Sequence, residues 1–94
     1  MPKEYGFGIV GAGMIAAYHA DAIKQLPNAR LVAVCDHMSG IAEKFGARCN
    51  CKAICNLHEL VARDDIDVIT VATPSGTHSE VAAECAKGGK HCIV

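Results

Sequence analysis

Six residues near the amino terminus, Gly11-Ala12-Gly13-Met14-Ile15-Ala16, have the spacing G-x-G-x-x-A. Between a buried strand and a helix, that spacing suits a diphosphate. The first glycine permits a tight turn, the second leaves the main chain bare to a phosphate, and the small third residue lets the helix pack close to the sheet. Free amides at the helix start and the positive end of its dipole then hold the charge without a lysine. The residues expected at such a ligand are Gly11, Gly13, Met14 and Ile15. A glycine turn that holds nothing is the alternative.

Asp36 is the second anchor, ending an apolar run (Leu31-Val-Ala-Val-Cys35) twenty residues beyond Ala16. A carboxylate there accepts both hydroxyls of an adenine ribose and repels a 2′-phosphate, so the expectation leans to NAD, with NADP possible. The neighbouring His37 weakens the lean, because an imidazolium partly neutralises a phosphate. The alternative for Asp36 is a solvated residue opening a loop. Two rival motifs fit less well. Gly88-Gly89-Lys90-His91 lacks the spacing and hydroxyl of a phosphate loop. An S-adenosylmethionine site usually carries an acid in the first strand, where this chain has Ile9 and Val10.

Cys49, Cys51, Cys55 and His58 form a C-x-C-x3-C-x2-H cluster whose spacing departs from paired C-x-x-C hooks. They straddle an expected strand and helix, so scattered thiols are the reading and no metal is expected. The six cysteines read as reduced thiols, several of them buried. With 94 residues, 51% of them hydrophobic, a net charge of −1 and no basic stripe, the chain reads as one small domain without a nucleic-acid partner. Neither a membrane span nor a signal-peptide core is evident, and a soluble cytoplasmic protein is the default expectation.

The elements that must position these residues alternate along the chain. Tyr5–Val10 reads as a buried strand and Met14–Leu26 as a helix with Ile15, His19, Ala22 and Leu26 on one face. After the Leu31–Cys35 strand, Ser39 is the expected cap of a short helix stacking Ile41 on Phe45, with Gly46 as its stop. A weak strand candidate lies around Cys49–Ala53. Asn56 and Glu59 resemble a capping box for a helix burying Leu57, Leu60 and Val61. Asp67–Ala72 is the clearest strand. Thr77 and Glu80 then cap a helix with Val81, Ala82 and Cys85 inside, closed by Lys87-Gly88-Gly89, and a fifth strand follows over His91–Val94. The fold class expected is α/β, a doubly wound parallel sheet in order 3-2-1-4-5.

Three stretches taken together resemble the glucose–fructose oxidoreductase/inositol dehydrogenase (Gfo/Idh/MocA) family. They are Gly8-Ile-Val-Gly11-Ala-Gly13-Met-Ile15 with His19, then Asp65-Ile-Asp67-Val-Ile-Thr-Val-Ala72-Thr73-Pro74 with Thr77-His78, and finally Ala86-Lys-Gly-Gly89-Lys90-His91-Cys-Ile-Val94. The resemblance implies a Rossmann domain binding NAD(H) or NADP(H), a larger domain for a sugar or polyol, and hydride transfer between them. It also places Thr73 and Pro74 on the nicotinamide side. His78 falls near the same crevice or on its own helix face, and His19 is read as a packed residue.

In the family the strand at Val94 runs on into a Glu-Lys-Pro signature whose lysine serves proton transfer. These 94 residues stop one short of it and before a sixth strand. No catalytic residue is therefore expected among them, and the polypeptide alone is expected to be inactive. The bare edge of the fifth strand is expected to favour self-association. A non-catalytic NAD(H)-binding regulatory module and an S-adenosylmethionine-binding domain are the alternative functions.

Overall fold

In a computed structural model, which describes residues 4–11, 13–36, 38–72 and 78–93, the apolar runs become adjacent parallel strands. The strands are β1 (Tyr5–Val10), β2 (Ala29–Cys35), β3 (Lys52–Ile54), β4 (Val68–Val71) and β5 (His91–Ile93). They form one sheet in order β3-β2-β1-β4-β5, the doubly wound order expected. The helices are α1 (Met14–Gln25), α2 (Ser39–Cys49), α3 (Leu57–Val61) and α4 (His78–Lys87).

Each face of the sheet has its own core. Ile9 and Val34 meet Ala16, Ala20 and Ile23 of α1 and Phe45 of α2 on one side. Val10, Ile69 and Val71 meet Leu60 and Val61 of α3 and Val81 and Cys85 of α4 on the other. The β1–β2 register slips so that Phe7 faces Leu31 but Gly8 faces Ala33. The extra residue, Val32, joins Ala33 in the α3/α4 core, as a β-bulge allows.

Several local expectations are corrected. The buried face of α1 is Ala16, Ala20 and Ile23, whereas Ile15 (59%) and Leu26 (47%) are exposed. The large residues were expected inside, yet the helix approaches the sheet closely and only alanines fit beneath its first two turns. Ser39 is not the cap of α2: Met38 holds that position without a side-chain hydrogen bond. Gly46 does not stop α2 either. The helix passes through it to Cys49, and the position is glycine because a Cβ there would lie 2.9 Å from the Cys51 carbonyl oxygen. Asn50, at φ 56°, makes the left-handed turn that ends the helix. Cys49 consequently belongs to α2, and the third strand starts at Lys52.

Other expectations hold. The Asn56 side chain accepts the His58 amide at 2.8 Å and the Glu59 amide at 3.4 Å, capping α3. At the end of α4, Gly89 has φ 72° while the Lys90 and Gly89 amides return to the Cys85 and Ala86 carbonyls. This is the two-bond closure that a left-handed glycine permits. The Thr77 cap, His37 and Val94 lie outside the described residues. No helix among those described is long and apolar enough to cross a membrane.

Candidate functional site

The ends of β1, β2 and β4 meet along the carboxyl edge of the sheet. Val10 is in register with Cys35 on one side and Val71 on the other. One residue further on, Gly11 donates its amide to the Cys35 carbonyl at 2.7 Å, and Ala72 donates to Val10 at 2.8 Å. Asp36 donates its amide to Ile54 at 3.1 Å, tying the end of β2 to β3. Gly11 and Asp36 thus leave neighbouring strands at the same level, about 4.8 Å apart as hydrogen-bonded strands are.

Gly11 turns the chain off β1 at φ 98°, a conformation that strains any residue with a Cβ. Gly13 follows as the N-cap of α1, with extended backbone and no side-chain cap. No acidic residue lies in the first turn of α1, so no carboxylate of the helix's own competes for its amides. A Cβ built on Gly13 would meet nothing within 4 Å. Among the described residues, then, nothing crowds the Gly13 α-carbon on the side a side chain would occupy. Ala16, fully buried, lets α1 come down onto Ile9 and Val34 and aims the helix start at that side. Ile15 exposes its side chain beside the turn.

Asp36 is fixed by its own loop: Oδ1 accepts the Met38 amide at 2.9 Å. A second carboxylate, Glu59 of α3, also acts on Cys35 at the end of β2 and escaped the sequence reading. Burial pushes the Cys35 thiol up to about 11, and the charges of Asp36, Cys55 and Glu59 add to the effect. The only sequence signal for Glu59 was its place in the α3 cap, which says nothing of β2. Thr73 and Pro74 lie outside the described residues, as does the side chain of His78, which opens α4. The side chain of Met14 is likewise not described, although its backbone begins α1.

The cysteine–histidine cluster does not assemble. Cys49 ends α2, Cys55 is exposed after β3, and His58 Nδ1 turns to Glu84 Oε2 at 3.3 Å. Among the described residues no three His, Cys, Asp or Glu side chains are grouped to hold a metal.

The sequence profile of the oxidoreductase family with the NAD-binding Rossmann fold matches residues 5–94. Inositol 2-dehydrogenase of Rhizobium meliloti (strain 1021) is 36% identical over 84 residues, covering 89% of this chain and 25% of that enzyme. The WlbA dehydrogenase from Bordetella pertussis, solved in complex with NADH and UDP-GlcNAcA, superimposes with a TM-score of 0.90 at 33% identity. That match covers 96% of this chain and 28% of the other. An NAD binding oxidoreductase from Klebsiella pneumoniae gives a TM-score of 0.86 at 28% identity, covering 95% and 26%. The chain spans about a quarter of the length of the curated relatives it matches. These matches favour a nicotinamide dinucleotide over S-adenosylmethionine and over a free-standing regulatory module.

Proposed function

The chain belongs to the Gfo/Idh/MocA oxidoreductase family in its NAD-binding Rossmann fold, and from that we propose that it holds NAD(H) across the carboxyl edge of its sheet. The observation that carries this reading is the open, uncapped start of α1 beside Gly11, with Asp36 leaving the next strand at the same level. In it, the amides at Gly11, Gly13, Met14 and Ile15 take the diphosphate, and the Asp36 carboxylate takes the adenine ribose. Thr73, Pro74 and His78 border the nicotinamide. Bound there, the cofactor supplies a hydride acceptor or donor.

NAD is preferred to NADP because the Asp36 carboxylate, at the end of β2, repels a 2′-phosphate on the ribose it would hold. In the parent protein the hydride passes to or from a sugar- or polyol-like alcohol or ketone. Support comes from relatives such as inositol 2-dehydrogenase, of which this chain covers a quarter. Residues 1–94 form the dinucleotide domain of that oxidoreductase, with substrate selection and the proton-transferring lysine outside them. These residues by themselves bind cofactor and do not turn over. Six unbridged thiols suit a reducing compartment, so the cytoplasm is the proposed location. The outer edge of β5 is a surface for self-association.

Calorimetry with NADH and NADPH, repeated on Asp36→Ala, tests the reading. NADH is expected to bind and NADPH to bind more weakly. Removing the carboxylate costs a charge-assisted hydrogen bond of about 1.5–3 kcal/mol, a loss of about tenfold or more in NADH affinity. Equal affinity for both cofactors before mutation removes the argument from Asp36, and no binding of either removes the site.

A further inference from the structure

At the amino end of the sheet, β2 has seven residues and β3 three, and their pairing begins only at Ala33 and Lys52. The cause is α2, whose left-handed end at Asn50 turns the chain and whose Gly46 lies close to the Cys51 carbonyl. Among the described residues no strand therefore runs beside Arg30, Leu31 and Val32 on that side. The notch left there is a cleft of about 410 Å³.

Its other wall is the loop from α3 to β4, which is held at several points. Gly6 leaves room for the Asp65 carbonyl, which a Cβ on Gly6 would strike. Lys90 donates its ammonium to the Arg63 carbonyl at 2.5 Å and the Ile66 carbonyl at 2.6 Å. The Asp65 carboxylate accepts from Nε and Nη2 of Arg63 at 2.9 and 2.7 Å. The guanidinium is thus fixed at the cleft, with its Nη1 group not engaged by Asp65.

We propose that this notch binds a phosphate group, gripped by Arg30, Lys52 and Arg63. The chain as a whole carries a net charge of −1, yet the cleft gathers three cations against the single carboxylate of Asp65. That carboxylate opposes an anion, but its two hydrogen bonds already commit it to Arg63. Arg30 is loosely held: Glu4 Oε1 lies 3.3 Å away and both side chains are more than half exposed, which makes a weak pair. Lys52 has no ion-pair partner among the described residues. Cys51 also lines the cleft, and burial pushes its thiol up to about 11, so no thiolate adds to the repulsion at neutral pH. Cations reaching in from β2, β3 and the α3–β4 loop suit the several oxygens and double charge of a phosphate better than a carboxylate. Free phosphate and a phosphate ester share this chemistry. The cleft contains none of Gly11, Gly13 and Asp36, and it stands whether or not the cofactor reading does.

Amide NMR titrations with inorganic phosphate and with glycerol phosphate, at constant ionic strength, test the proposal, with acetate as the control anion. Saturable shifts are expected at Leu31, Val32, Cys51 and Lys52 with the phosphates and not with acetate. Tighter binding of the ester assigns a phosphorylated small molecule, and tighter binding of inorganic phosphate assigns the free ion. Lys52 is exposed, so Lys52→Gln leaves the fold intact. It is expected to weaken binding about tenfold by removing a charge-assisted contact. Arg63→Gln is expected to weaken binding at least as much, with circular dichroism checking its fold. Shifts confined to the glycine turn, equal binding of acetate, or unchanged affinity in Lys52→Gln overturns the proposal.

Discussion

Gly13 matters through the volume it leaves empty. Its backbone, at φ −88°, is open to any residue, and a Cβ there touches nothing. Alanine at this position therefore costs only the usual difference between glycine and alanine at an N-cap, about 1 kcal/mol or less. The same methyl group would stand where the diphosphate approaches the main chain. Gly13→Ala is expected to unfold within a few degrees of the unmutated protein while binding NADH about tenfold or more weakly, as titration calorimetry would read. Unchanged affinity would mean that the phosphates lie elsewhere. Gly11 offers no such separation, because at φ 98° a side chain strains the fold as well as the site.

Among the elements, β4 carries an anomaly. Thr70 sits mid-strand between Ile9 and Ile93, 5% exposed, and among the described residues its hydroxyl has no hydrogen-bond partner. An unpaired hydroxyl taken out of water is unfavourable, and valine has nearly the same shape and a strong preference for strands. Thr70→Val is expected to raise stability by about 1 kcal/mol, measured as a higher urea midpoint at unchanged slope. A lower midpoint would show that the hydroxyl has a role. The elements also mark where sequence patterns stop being informative. The Asn56 cap and the glycine end of α4 were legible because each rests on neighbours in the chain, and the strand order followed from the regular alternation of strands and helices. The inner face of α1 was misjudged because size was taken for burial, whereas close approach to the sheet selects Ala16 and Ala20. Gly46 looked like a stop because a glycine near a helix end usually is one; its reason, the nearby Cys51 carbonyl, is visible only in three dimensions. The Val32 bulge has no local signature at all.

At the scale of the molecule, the two edges of the sheet differ. On the β3 side, α2 packs against the strand, whereas among the described residues β5 is the outermost strand on the other side, with Ile93 52% exposed. Unpaired strand edges invite a further strand. Light scattering across a concentration series is expected to show growth beyond the monomer, and Ile93→Lys to suppress it; a monomer at every concentration refutes association through β5. The carboxyl and amino ends of the sheet also differ, and the account depends on that polarity. Gly11, Gly13 and Asp36 share the carboxyl end. A cleft of about 410 Å³ lined by Arg30, Lys52 and Arg63 opens instead near the starts of β2 and β3. The polarity was legible because the glycine turn and the carboxylate each follow a strand directly; the influence of Glu59 on Cys35 was not, since it needs α3 folded back over β2. The most direct measurement is an amide NMR titration with NADH. The account predicts that shifts concentrate at Gly11, Gly13 to Ala16 and Asp36 and spare Arg30, Lys52 and Arg63. Shifts confined to the cationic cleft, or none at the glycine turn, would contradict it.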